Sequence, residues 1–175
     1  TGLAAQITSD GTGTVGGIVS GTYTFWKNQF YELTSTPDKA VTPAGMRTLW
    51  MKCVRGTDKP DLIVSTHDFF GFYWNSLTDL QRYASSDSAT MGFQSLKFVT
   101  ADVIFDSNDN FSTTGETMFF LNTDYLELVV HRDANWTQLD EKMSVNQDAV
   151  VIPIIWMGNL VCSNRSLQGM LTDLT

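Results

Sequence analysis

Nothing in this sequence is long and apolar enough to cross a membrane as a helix. A span needs about 18 or more consecutive apolar residues, and the longest apolar run, Ala149 to Met157, falls far short. Basic residues are scarce as well: 11 Lys and Arg stand against 19 Asp and Glu, for a formal net charge of -8. A surface of that sign repels phosphate backbones, which disfavours a primary role in gripping DNA or RNA. Cysteine is limited to Cys53 and Cys162, far apart and outside any CxxC pair, so both are expected as reduced, buried thiols. The two histidines, His67 and His131, lack H-x-x-x-H spacing and have no nearby cysteine to complete a zinc shell. No G-x-S-x-G nucleophile elbow occurs. The start, Thr1-Gly2-Leu3-Ala4, has neither Met nor a basic-then-apolar leader, so the chain is expected to be a fragment or a trimmed product.

What the 175 residues do supply is core. Hydrophobic residues make up 42% and charged residues 17%, which suits one domain, or one with a piece of another, and argues against global disorder. Eleven Phe, five Trp and five Tyr exceed the needs of a core this size, so some are expected on a contact surface.

Residues 1–35 read as extended and loop-like. Gly and Thr dominate up to Thr24, the aromatics Tyr23, Phe25, Trp26, Phe30 and Tyr31 close the stretch, and pairing with strands from elsewhere is expected. Ser35-Thr36-Pro37-Asp38 signals a turn. A helix then starts with Thr42 as cap and Pro43 in its first turn; Met46, Leu49, Trp50 and Cys53 line one face. Arg55 suits its carbonyl end and Gly56 its stop. Lys59-Pro60-Asp61 leads into Leu62-Ile63-Val64-Ser65, a buried strand by its β-branched run. Thr66 is placed to cap a second helix carrying Phe69, Tyr73, Leu77, Leu80 and Tyr83 on one face, with Phe70 and Trp74 alongside.

The second half is strand-rich. Leu96–Phe105 predicts one strand; Thr117–Leu121 and Tyr125–His131 predict a hairpin closed by Asn122-Thr123-Asp124. Ala149–Cys162 predicts a long apolar strand in which Pro153 marks a bulge or an edge, and Ser166–Leu174 a last short one. The order gives a mixed α+β fold built on an α/β layer.

No motif assembles into chemistry. Gly11-Thr12-Gly13-Thr14-Val15-Gly16 fits the dinucleotide fingerprint, but the following Gly17-Ile18-Val19-Ser20-Gly21 is strand-like where a helix is required. Asp106-Ser107-Asn108-Asp109-Asn110 opens like a calcium loop, yet Phe111 stands at the glycine position and Thr117 at that of the bidentate Glu, so a turn accounts for it better. Asp102, Asp106, Glu116, Asp124, Glu127, Asp140 and Glu141 are scattered carboxylates. The N-x-[ST] triplets at Asn110, Asn135 and Asn164 are expected to be unmodified. No catalytic, cofactor-binding or metal-ligating residue is assigned.

Four blocks carry a more specific signal: Phe119-Phe120-Leu121-Asn122-Thr123-Asp124-Tyr125-Leu126, Asn146-Gln147-Asp148-Ala149, Trp156-Met157-Gly158-Asn159-Leu160 and Ser163-Asn164-Arg165-Ser166-Leu167-Gln168-Gly169. Phe25-Trp26-Lys27-Asn28-Gln29, Lys59-Pro60-Asp61-Leu62 and Gly92-Phe93-Gln94-Ser95-Leu96-Lys97-Phe98 precede them in collinear order. Together they resemble the C-terminal part of major capsid proteins of tailed bacteriophages and prophages. The resemblance implies an axial domain with a central sheet and two flanking helices at 36–162, a peripheral-domain segment at 1–35, and a return strand to that domain at 163–175. The family's N-terminal arm, extended hairpin loop and spine helix find no counterpart in the sequence. It further implies a non-enzymatic virion subunit, assembled in the bacterial cytoplasm, that packs against copies of itself in pentamers and hexamers. Scaffold and portal proteins would be further partners, and packaged DNA would be enclosed without sequence-specific binding. Loops at the capsomer centre would be Asp106–Thr114 and Ser85–Ala89. The competing readings are a hydrolase or carbohydrate-active domain using the carboxylates or His67, and a monomeric sugar-binding module built on Trp26, Trp136 and Trp156.

Overall fold

The computed structural model describes residues 2–33, 42–77, 96–106, 116–143, 148 and 150–173. A one-turn helix α1 (Leu3–Gln6) precedes a small hairpin, β1 (Thr14–Val15) and β2 (Ile18–Val19). Its turn residues Gly16 and Gly17 both have positive φ, the geometry that two-residue hairpin turns demand, so the glycine-rich stretch opens a strand pair and no helix. After a 3-10 turn at Thr24–Trp26 come β3 (Gln29–Glu32), α2 (Thr42–Cys53), β4 (Leu62–Ser65), α3 (His67–Leu77), β5 (Leu96–Phe98), β6 (Ala101–Phe105) and β7 (Glu116–Leu121). Seven short strands complete the described chain: β8 (Leu126–Val130), β9 (Thr137–Gln138), β10 (Lys142–Met143), β11 (Val150–Val151), β12 (Ile154–Ile155), β13 (Gly158–Cys162) and β14 (Gly169–Asp173).

Six of these form one sheet in the order β3-β14-β7-β4-β6-β5. The β3–β14 and β4–β6 pairs are parallel, and the other neighbours antiparallel. Alternation divides the side chains between two faces. Ile63, Val103, Met118, Phe120 and Leu171 point to one face, where they meet Met46, Leu49, Trp50 and Cys53 of α2 and Phe69, Phe70 and Tyr73 of α3. The helical stripe expected from sequence is thus the buried one. Phe119 and Leu121 point the other way, to Ile7, with Leu3, Leu62, Val64, Leu126 and Met170 around them. Residues Thr117–Leu121 of β7 are buried on both faces, which explains an apolar run without alternation.

Several expectations are corrected. Leu96–Phe105 is a hairpin rather than a single strand: Phe98 pairs with Ala101 across Val99-Thr100, and Val99 has a φ of 56°. Valine is a strand former, so its sequence disguises this turn. β7 and β8 do not pair with each other; β7 lies between β14 and β4, and β8 pairs with β13. The apolar stretch Ala149–Cys162 is split into β11, β12 and β13, all outside the central sheet. Thr66 directs its hydroxyl to the Glu116 carboxylate, while its backbone N–H donates to Thr117 O at 3.0 Å. Besides strands from 36–162, the sheet takes β3 from 1–35 and β14 from 163–175. The turn at Ser35–Asp38, residues Leu80 and Tyr83, and the loops Ser85–Ala89 and 107–114 lie outside the described residues.

Helix α2 approaches the sheet closely because β14 begins with glycine. A Cβ at Gly169 would meet the Cys53 sulfur at 2.6 Å and Leu49 at 3.1 Å. Gly169→Ala should therefore cost about 1–3 kcal/mol in urea unfolding, as overpacking does in a close-packed core. The opposite sign is expected at the β5–β6 turn. Val99→Gly removes a β-branched residue from positive φ and should stabilise by about 0.5–1 kcal/mol in the same assay.

Candidate assembly surface

The antiparallel pair at the centre of the sheet does not end with the sheet. β7 and β14 run in register up to Phe120↔Gly169; the same two chain segments then re-pair as β8 and β13, from Leu126↔Cys162 to Val130↔Gly158. At the level between the two ladders each strand makes a 3-10 turn, Thr123–Tyr125 on one side and Arg165–Leu167 on the other. Asn122 and Asn164 open these turns, accepting from the backbone N–H of Asp124 and Ser166. The Asn122-Thr123-Asp124 signal is thus a jog in a continuing strand. Asn164 is occupied by the same kind of local bond, the ordinary fate of Asn at a turn.

Side chains replace the missing ladder at this joint. The buried Gln168 amide accepts from Asn122 N–H at 2.9 Å through Oε1 and donates to Asn122 O at 3.1 Å through Nε2. Asp61 holds the outer turn, accepting from Thr123 N–H at 2.8 Å and from the Thr123 hydroxyl. Arg165 is 0% exposed. Its guanidinium donates to Gln6 O at 2.5 Å, Gly11 O at 3.3 Å, Thr8 Oγ1 at 3.0 Å and Thr12 O at 2.9 Å. Burial lowers its pKa from the ordinary value, and these oxygens take over the solvation that water would supply. The Gln6 side chain adds a bond from Nε2 to Leu160 O at 2.6 Å, fastening the N-terminal loop to β13.

Beyond the joint the two strands form a ribbon: β9 pairs with β12 and β10 with β11. Both of its irregularities sit on the first strand. Residues 131–136 stand opposite 156–157, and 139–141 opposite 152–153. The return strand is therefore continuous, and period 2 sorts it into two rows. Val150, Ile152, Ile154 and Trp156 share one face with Met143 and Leu128 of the first strand; Val151, Met157 and Val161 share the other with Val129. Trp156 lies over Gly158, where a Cβ would meet the indole at 2.4 Å, and its ring is 6.3 Å from that of Trp136. All of these apolar residues are exposed: Met143 by 81%, Trp136 by 73%, Ile154 by 62% and Val151 by 54%. More than half of the exposed large apolar residues of the described chain lie on this ribbon. The aromatic surplus adds a second, smaller patch at Tyr23, Phe25 and Phe30.

The residues considered for chemistry do not gather. His67 sits at the start of α3 with its ring 5.9 Å from that of Phe105; His131 accepts from the Asp133 N–H at 3.2 Å in a local turn. Asp102 is bound to Lys97 at 2.7 Å and Glu116 to Thr66. An open cavity of about 300 Å³ lies beside His67, and its other walls are Phe70, Gly71, Trp74, Asn75 and Phe105. His67 is its one titratable lining residue. Among the described residues no group of three or more His, Cys, Asp or Glu is placed to hold a metal, and no helix is long and apolar enough to cross a membrane. Trp26 donates its indole N–H to Val15 O at 3.1 Å, away from the Trp136–Trp156 pair, so the three tryptophans form no common platform. Cys53 and Cys162 are both buried and free; burial pushes the Cys53 thiol up to about 12.

No protein-family model matches this sequence, and no curated protein matches it. Solved structures do. A cyanophage A-1(L) capsid chain superposes with a TM-score of 0.54 at 14% identity over 99% of this chain, and a virus-like particle from Pyrococcus furiosus with 0.51 at 12% identity over 82%. The chain shares its fold with these two proteins. The chain spans 57% and 54% of the lengths of those two proteins.

Two outcomes test this geometry. Arg165→Met should cost about 2–4 kcal/mol, because it leaves buried acceptors unpaired. Hydrogen exchange should then quicken at Ile7, Thr8 and Gly11 before α2 is affected. The Cys53 thiol should resist a thiol reagent at pH 8 in the native protein and react only once guanidinium unfolds it.

Proposed function

We propose that this protein is the structural, non-enzymatic subunit of a tailed-phage or prophage icosahedral capsid, self-associating into pentamers and hexamers that enclose the DNA genome. The carrying observation is the ribbon: two strands with exposed apolar residues on both faces. A two-stranded ribbon is marginal in water on its own, and exposed apolar patches of this extent mark association surfaces. The capsid fold supports the same reading from an independent direction.

In this proposal the six-stranded sheet with α2 and α3 forms the axial part, and the ribbon with the N-terminal loop the peripheral part. Head-to-tail contacts between different patches close into rings, as heterologous interfaces do when the rotation closes. The net charge of -8 leaves the genome unbound to the wall, because an acidic surface does not compete for phosphates. Scaffold and portal proteins are the further partners of such a subunit, and its place is the virion, after assembly in the bacterial cytoplasm.

Electron microscopy of the full-length protein expressed alone is the direct test. Rings or closed shells are expected. A strictly monodisperse monomer at high concentration would overturn the capsid reading.

A further inference from the structure

We infer that the outer edge of β13 is a self-complementary pairing edge, and that Gln6 closes it against a second copy of this chain. The ladder with β8 fixes which backbone groups face outward. His131 N–H donates to Met157 O at 2.8 Å and Ser163 N–H to Tyr125 O at 3.0 Å, continuing the register at either end. In an antiparallel pair such rungs recur at every second residue, so Asn159 and Val161 turn their backbone groups toward β8. Gly158, Leu160 and Cys162 turn theirs the other way. Gln6 marks that direction independently, since its Nε2 donates to Leu160 O at 2.6 Å.

Edges are commonly blunted by charge, by proline or by a covering segment. Residues 158–162, Gly-Asn-Leu-Val-Cys, offer neither charge nor proline. The cover is the N-terminal segment. Its β1–β2 hairpin lines a cavity of about 130 Å³ together with Asn159 to Cys162, yet forms a sheet of its own, so it shields the edge without pairing with it. The direct bond comes from Gln6, whose buried side chain also lines that cavity and takes the place of a rung at Leu160. Its other end, Oε1, has no hydrogen-bond partner among the described residues, so the amide completes only half of what a paired strand would make. Arg165 pins the same segment through Gln6 O.

A second copy fits this edge by symmetry. Laid antiparallel about Leu160, β13 matches itself: Leu160 opposes Leu160, Gly158 opposes Cys162, and these outward-facing residues are the ones that would exchange hydrogen bonds. No like charges meet at the axis. Such an isologous contact closes at two copies, giving a sheet of four strands with the two β13 at its centre. Gln6 holds Leu160 O, the acceptor at the axis, and the pair cannot form while that bond stands.

Two substitutions at this one bond test the guard. Gln6→Leu removes the donor at similar size, and Gln6→Glu places there a carboxylate that has no proton to give at pH 8. Amide hydrogen exchange at Leu160 is followed at low and high protein concentration, with the unsubstituted chain alongside. In both variants this amide should exchange at least about tenfold more slowly at high concentration, and in the unsubstituted chain it should not change. Acidification lets the protonated carboxyl of Gln6→Glu donate again, which should abolish the dependence. Adding Leu160→Pro removes the donor at the axis and should return either variant to the unsubstituted sedimentation profile. Exchange at Leu160 that ignores concentration in a folded variant overturns the guard, as does a dimer that survives Leu160→Pro. Equal slowing in the unsubstituted chain would mean that Gln6 does not close the edge, and loss of the fold in both variants would make Gln6 a purely structural residue; either result overturns the inference. The capsid reading is tested separately, because shells built through other surfaces leave this amide unpaired.

Discussion

The structure turns on the buried polar joint where the central strand pair leaves the sheet. Gln168 stands in for a ladder rung by giving and receiving a hydrogen bond with the Asn122 backbone. One turn earlier, Arg165 spends its guanidinium donors on oxygens of the 6–12 segment. Without the first, two buried backbone groups lose their partners at the point where β7 and β14 separate. Without the second, the N-terminal segment loses its hold on the ribbon's base, and with it Ile7, which covers the far face of the sheet beside Phe119 and Leu121. A buried cation held by neutral oxygens is a costly device for stability alone, since its desolvation is only offset when every donor is placed. What it provides here is a fixed direction: ribbon, sheet and N-terminal loop meet at one residue.

That joint inverts the usual distribution of polarity. Polar side chains such as Gln168, Arg165 and Asn122 are buried, while Ile154, Val151 and Trp136 face water. The sheet and helices make a complete core, with Met46, Leu49, Phe69, Met118, Phe120 and Leu171 sealed between them. The ribbon adds little to that core and exposes more than it buries. The chain is a folded body carrying an element whose apolar side chains are exposed.

How much of this the sequence disclosed depends on which signal each element uses. The α2 stripe was legible because its period of 3.6 is set by burial against one sheet, and Met46, Leu49, Trp50 and Cys53 are all buried. β4 and β7 were legible as apolar runs. The β5–β6 turn was hidden because Val99 occupies a positive-φ site that composition assigns to glycine or asparagine. The pairing of β8 was misread because Asn122-Thr123-Asp124 is good turn chemistry in either setting, a reversal or a 3-10 jog, and only the distant Gln168 decides between them. The run Ala149–Cys162 was legible as apolar strand, but its division into β11, β12 and β13 outside the central sheet was not, because apolar density does not report which strand pairs with which. Arg165 and Gln168 entered only as letters within a family-like block, since a lone Arg or Gln carries no periodic signal of burial.

A two-stranded ribbon with exposed apolar side chains would ordinarily be an aggregation hazard, and the details show which route of association is closed. Edge-to-edge strand addition needs a long, flat, uncharged edge. The first strand is interrupted at 131–136 and again at 139–141, and it carries Arg132, Asp133, Asp140 and Glu141 within those interruptions. Extra residues on one strand twist a ribbon locally, and charges at the break discourage a third strand from pairing there. On the return strand Pro153 lacks a backbone donor, and its carbonyl accepts from Leu139 N–H at 2.9 Å. The edges are thus blunted while the faces stay apolar. Association is steered into face packing, whose geometry is set by side-chain shape and is finite, and away from open-ended strand pairing.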